Sequence, residues 1–151
     1  MRATEIDTDT RRAAGCLIYA KETREWLLIQ RSAYVDSPMT WAIPGGSALP
    51  QEDYLDAAIR ETIEETGHNL SSAPSKLIYS HETDWPRTIY KTYAVVVDKP
   101  FKPVLDWESV DHRWCTLDDM PTPLHPGIEA MIRHDQSAEI LHEWLTNLTT
   151  S

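Results

Sequence analysis

Basic residues are the scarce class in this chain: 14 Lys and Arg stand against 24 Asp and Glu, for a formal net charge of −10. A surface of that sign repels a long polyanion, so DNA and RNA are not expected partners. Cysteine is scarce too. Cys16 and Cys115 lie in apolar, strand-like stretches without a C-x-x-C or Cys/His spacing, which argues against a disulfide framework or a zinc site and for two buried thiols. None of the six histidines is paired with another at metal-ligand spacing. No run approaches the ~18 consecutive apolar residues of a membrane helix. Residues 1–12 form a polar leader with no apolar stretch behind a basic start. The expectation is a cytoplasmic protein that does not use a membrane. Repeats, low-complexity tracts and linkers are missing as well, and 151 residues with 41% hydrophobic content suit one α/β domain over 1–151.

The apolar segments that are there alternate with turn signals. Ala13 to Ala20 reads as a buried strand and Trp26 to Gln30 as its antiparallel partner, with Lys21 to Glu25 as the hairpin turn. Ser32 to Thr40 reads as a loop. Trp41-Ala42-Ile43 is a short strand that Pro44-Gly45-Gly46 should stop. Three more β-rich runs follow at Leu77 to Ser80, Thr88 to Val97 and His112 to Leu117. Gly127 to Arg133 and Ala138 to Leu148 read as helices. His125 stands at the entry of the first of these, where it can hold a turn.

One long helix is signalled in between, from Tyr54 to Thr66. Asp53 is placed to cap it, Asp56 stands three residues on, and Gly67 supplies the left-handed residue that ends it. At about 100° per residue, Glu61, Glu64 and Glu65 share one face. Leu55, Ile59, Thr62, Ile63 and Thr66 gather on the opposite face and are expected to pack on a sheet. Ala57 and Ala58, one turn before the glutamates, are expected to leave room for a ligand. Three crowded carboxylates with Arg60 as the nearby cation fit a site for a hard divalent cation better than they fit a solvated face. Mg²⁺ is the expected ion, with Mn²⁺ as a substitute.

From Gly46 to His68 the chain reads GSALPQEDYLDAAIRETIEETGH, which resembles the signature box of the Nudix hydrolases (MutT-like domains). Gly46, Glu52, Arg60, Glu61, Glu64, Glu65 and Gly67 all fall in its register. Seven fixed positions at fixed spacing are a specific signal. Thr62 and His68 depart from it, standing where the family has apolar packing residues. The resemblance implies an α/β/α sandwich with a mixed central sheet, and hydrolysis of a diphosphate bond in a nucleoside diphosphate linked to another moiety. It implies Glu61, Glu64, Glu65 and the Gly45 carbonyl as metal ligands, one glutamate (Glu64 by preference) as the base, and Arg60 and Glu52 as groups that hold the ligands in place. The cations neutralise the diphosphate, polarise phosphorus and lower the pKa of a water.

Outside the box, Glu108 resembles a loop glutamate that approaches the metals in many family members. Arg31 and Arg87 are candidates for phosphate contacts, and Trp85, with Tyr34 and Tyr90, for stacking on a base or sugar. Asp84-Trp85-Pro86 matches no substrate marker of the family's subgroups, which leaves a nucleotide sugar or a nucleoside triphosphate as leading candidates. The alternative is a non-catalytic Nudix-fold module that senses a nucleotide; such a module is expected to lose box carboxylates, and this chain keeps them. A third reading, an acidic helix that docks a basic partner, has only the charge in its favour. Ile140, Leu141, Trp144, Leu145 and Leu148 recur at helical spacing and pack either on their own domain or, in a homodimer, on a second copy.

Overall fold

The computed structural model describes residues 10–84 and 86–150, of which 149 and 150 are described by backbone alone. Trp85 and most of the polar leader therefore lie outside the described residues. β1 (Arg11–Ala20) and β2 (Glu25–Arg31) form the expected antiparallel hairpin, but they pair only at Tyr19–Trp26 and Ala20–Glu25, beside the turn. Beyond those pairs the two strands part.

Each strand finds other partners past that point. β3 (Trp41–Ala42) pairs with β2 at Ile29 and Gln30, while β4 (Gly45–Ser47) pairs with β1 at Ala13 to Gly15. β3 does stop before Pro44, as the sequence predicted, but Gly45 and Gly46 then open a new strand that it did not. Glycine has little strand preference of its own; the strand forms because the edge of β1 needs backbone partners there. On the outer edge of β1 runs β6 (Arg87–Val97), parallel to it, and β5 (Ser75–Asp84) closes that side antiparallel to β6. β7 (Ser109–Cys115) covers the other edge of β2. The described residues thus form a mixed seven-stranded sheet.

Helices cover both faces. α1 (Tyr54–Thr66) lies on one, against Ala14, Cys16, Ile18, Leu27, Ile29 and Val95. α2 (Pro126–Ile132) and α3 (Asp135–Thr150) lie on the other, against Leu17, Trp26, Leu28, Ile78 and Ala94. The two lists follow the pleat, since successive residues of β1 point to opposite faces. Full burial of a side chain such as Ile18 or Leu27 contributes ~1.5–3 kcal/mol, so these two layers hold the helices on the sheet. Ile140, Leu141, Trp144 and Leu145 of α3 pack on their own domain. His125 caps α2, its Nδ1 accepting from the Gly127 N–H at 3.0 Å.

α1 has the predicted bounds and part of the predicted packing face: Thr62 and Thr66 pack as expected, but with Ala57 and Ala58 in place of Ile63. Ala57, Ala58, Thr62 and Thr66 are buried against the sheet, Leu55 and Ile59 are half-buried, and Ile63 is exposed. Ala57 and Ala58 are core residues, and leave no ligand space. Their small side chains let the helix lie close to β1. The threonines tolerate burial because each hydroxyl donates to a carbonyl one turn back, Thr62 to Ala58 at 2.7 Å and Thr66 to Thr62 at 2.6 Å. This rotation brings Glu61 and Glu65 to the edge of the packing face and turns Glu64 outward. Asp53 holds the N-cap position without a side-chain bond. His68, the second departure from the box, stacks on Phe101 with ring centroids 3.8 Å apart.

Gly67 ends α1 at φ +72°, and its N–H donates to Ile63 O at 2.8 Å. A Cβ there is strained, so Gly67→Ala is expected to lower the unfolding free energy by about 1 kcal/mol. A urea midpoint unchanged from wild type would contradict this.

Candidate active site

Where β1 leaves β2, three elements converge: β4, the C-terminal half of α1, and the loop before β7. β4 approaches α1 closely because it is glycine. A Cβ on Gly46 would stand 2.6 Å from the Glu61 carboxylate, so only glycine admits that side chain here. Gly45 donates its N–H to Glu65 Oε2 at 2.9 Å, which ties the helix carboxylate to the strand.

Arg60 holds the other side of the cluster. Its Nε and Nη2 donate to the two oxygens of Glu52, both at 3.0 Å, and Nη2 also donates to Ser47 O at 2.9 Å. Nη1 reaches Glu61 at 3.1 Å and Glu64 at 3.2 Å. Glu52 is itself oriented, accepting from the Leu49 N–H at 2.9 Å. The forked guanidinium suits this task, since it offers several donors in one plane. The Arg60 and Leu49 hydrogen bonds hold the Glu52 carboxyl below the usual carboxylate range.

The remaining carboxylates are not neutralised. Burial, then Glu64, push the Glu61 pKa up against the pull of Arg60. Glu65 is pushed up to about 8, mainly by burial, with Glu61, Glu108 and Asp106 adding to it against the Gly45 hydrogen bond. The sequence singled out Glu108, and the structure brings its charge within reach of both Glu61 and Glu65. Glu108 is half-buried; its backbone N–H donates to Asp106 Oδ1 at 3.0 Å, and its carbonyl accepts from the Ser32 N–H at 2.8 Å. Asp106 was not foreseen; only its place two residues before Glu108 points to it.

Other predicted residues are placed differently. Arg31 is half-buried at the end of β2, with Nη2 on Asp36 Oδ1 at 2.5 Å and Nε donating to Asp36 O at 2.8 Å. Its charge reaches the Tyr90 phenol, which lies beside Gly45. Arg87 is not brought to the cluster: its guanidinium is held by Glu82 at 3.0 Å and by the Thr10 hydroxyl at 3.2 Å. Tyr34 is 86% exposed on the β2–β3 loop. Trp85 lies outside the described residues. Among the described residues, no three His, Cys, Asp or Glu side chains already converge on one point as a ligand set. The donor chemistry nevertheless fits a hard cation: hard oxygens whose burial, with excess negative charge beside it, pushes the Glu65 pKa up to about 8.

That raised pKa gives a signed pH dependence. The folded-state pKa of Glu65 is raised, so between the ordinary carboxylate value and about 8 the folded state binds more protons than the unfolded one, and stability from this group falls as pH rises. A divalent cation bound at this carboxylate would replace the proton, so its binding would strengthen over the same range. The melting temperature gained on adding Mg²⁺ is expected to be larger at pH 8 than at pH 5, and Glu65→Gln to flatten the difference. Equal Mg²⁺ shifts at both pH values in the wild type would contradict the assignment.

Comparison with known proteins agrees with this architecture. A family model described as the NUDIX domain matches residues 9–135. The bis(5'-nucleosyl)-tetraphosphatase [asymmetrical] of Rattus norvegicus is 31% identical over 121 residues, covering 72% of this chain and 80% of the rat protein. The m7GpppN-mRNA hydrolase dcap-2 of Caenorhabditis elegans is 31% identical over 110 residues, but the chain spans only 14% of its length. Among solved structures, a C. elegans Ap4A hydrolase binary complex superposes with a TM-score of 0.62 at 26% identity, over 92% of this chain and 99% of that one. With the family model running through α1 and all seven described strands, the chain belongs to the NUDIX family and is a Nudix-type pyrophosphohydrolase.

Proposed function

We propose that the chain hydrolyses, with Mg²⁺, a diphosphate bond in a nucleoside diphosphate linked to another moiety, and that nucleoside polyphosphates are its substrate class. The observation that carries the reading is the partly desolvated set Glu61, Glu65 and Glu108 around Gly45, whose charge Arg60 leaves incompletely balanced. A pyrophosphate meets such a site only through bridging cations. A relative named as a bis(5'-nucleosyl)-tetraphosphatase matches 72% of this chain and a solved Ap4A hydrolase covers 92% of it, which puts dinucleoside polyphosphates on the panel beside nucleoside triphosphates and nucleotide sugars.

In this reading Glu61, Glu64, Glu65 and the Gly45 carbonyl hold Mg²⁺, with Glu108 closing the site from the loop. Bound there, Mg²⁺ would neutralise the diphosphate and make phosphorus more electrophilic. Glu65 is fixed by the Gly45 N–H, and Glu61 is half-buried. Glu64 has the most exposed carboxylate of the three and meets Arg60 through one oxygen, so it is assigned to take the proton of the attacking water. The water oxygen forms a bond to phosphorus as the bridging P–O bond breaks, and the leaving phosphate keeps that electron pair. Arg60 and Glu52 keep the glutamates in register throughout. Arg31 is placed to bind phosphate if it exchanges Asp36 for substrate. Arg87 and Trp85 carry no part of this reading.

The test is a panel of dinucleoside polyphosphates, nucleoside triphosphates and nucleotide sugars assayed with Mg²⁺ for release of phosphate or nucleotide. Glu64→Gln is expected to lower kcat by 10² to 10⁴-fold, in the range typical of losing a general base. Gly46→Ala should depress activity as well, because its methyl displaces Glu61. Turnover of no panel member, with Mg²⁺ affinity unchanged in Glu64→Gln, would favour the non-catalytic nucleotide-binding module instead.

A further inference from the structure

We infer that Tyr90 is a further substrate-binding residue, its hydroxyl donating a hydrogen bond to a non-bridging phosphate oxygen of the diphosphate held beside Glu61 and Glu65. The inference rests on the proposed diphosphate chemistry and adds a residue to it from the opposite face of the sheet.

The strand register carries the first step. On β6, Tyr90 is opposite Ala13 of β1, and its ring reaches diagonally across β1 toward Gly15 and Gly45. A methyl group on either glycine would collide with the hydroxyl oxygen, so both positions leave the notch that it fills. Gly45 is the residue whose N–H is taken by Glu65. The phenol and the Glu65 carboxylate therefore flank the same residue, one reaching it from β6 and one from α1.

The second step is what the hydroxyl lacks. Among the described residues it makes no hydrogen bond, whereas every fully buried side-chain polar atom has a partner. The residue is half-buried, and its unpartnered hydroxyl is not sealed in the core. Its surroundings are ionic: Glu65 and Glu61 on one side and Arg31 on the other act on the phenol. A neutral phenol O–H is a hydrogen-bond donor. An anionic phosphate oxygen arriving at this cluster is the acceptor it is missing, and charge-assisted bonds of that kind are among the stronger ones. A purely structural tyrosine would be expected to spend its hydroxyl on a neighbouring backbone group.

The experiment uses the full chain with Mg²⁺ and imidodiphosphate, a diphosphate that lacks the hydrolysable bridge, with binding read by calorimetry. Tyr90→Phe keeps the ring and is expected to weaken imidodiphosphate about tenfold with little change in melting temperature, while Tyr79→Phe leaves binding unchanged. As a second readout in the intact fold, 3-fluorotyrosine placed at position 90 alone should show a fluorine shift on adding Mg²⁺ and imidodiphosphate. Equal affinity in Tyr90→Phe and wild type, no fluorine shift, or no binding of the probe by wild type would each overturn the assignment. Weakened probe binding in Tyr90→Phe, alongside a panel on which no nucleotide is turned over, would sustain the Tyr90 contact and reject the catalytic reading.

Discussion

The structure turns on a change of partners along one edge of one strand. β1 is bonded to β2 for only two residue pairs and then to β4, while β6 runs beside it throughout. A backbone edge cannot be left unpaired in a packed interior, so parting the hairpin requires another segment to take its place. The segment that does so is glycine at 45 and 46, and glycine is what allows a helix carboxylate on one side and a tyrosine hydroxyl on the other to come against the strand. The opening in the sheet, the approach of α1 and the position of the carboxylates all follow from this exchange.

Charge is distributed around that opening in two different ways. On the outer side Arg60 gathers Glu52, Glu61, Glu64 and the Ser47 carbonyl into one planar network, where attraction is matched by many donors. On the inner side Glu65, with Glu108 and Asp106 nearby, has a single backbone N–H for company and is desolvated. A cluster held rigid on one side and electrostatically unsatisfied on the other is poised to bind a cation without a large rearrangement. The same arrangement requires a helix whose packing face is small and partly polar: larger side chains at 57, 58 and 62 would lift α1 off the sheet and withdraw the glutamates from β4.

Much of this was legible in the amino-acid order. The bounds of α1 follow from Asp53 and Gly67, because a left-handed terminator is a local property. The box register named Glu61, Glu64, Glu65, Glu52 and Arg60, which the structure brings together. β4 was not legible, since its pairing depends on a strand thirty residues earlier. The orientation of α1 was legible only in part: helical spacing grouped Thr62 and Thr66 with Leu55, Ile59 and Ile63, but it could not show that Ala57 and Ala58 pack beneath the helix while Ile63 is exposed. Arg87 was a reasonable phosphate candidate by residue type, and a cross-strand glutamate claims it. Asp106 and the reach of Tyr90 become visible only when distant segments are juxtaposed.

The two cysteines, introduced as bland features, occupy opposite layers. Cys16 packs among the residues beneath α1, with its pKa pushed up to about 11 by burial, and Cys115 packs with the layer beneath α2 and α3, with its pKa also raised by burial. Neither thiol is ionised or accessible in the closed fold, so each becomes reactive only when its own layer opens. The molecule thus carries two native chemical reporters, one for the layer that presents the glutamates and one for the layer that supports the opposite face. Their relative alkylation rates would tell which half of the sandwich loosens first.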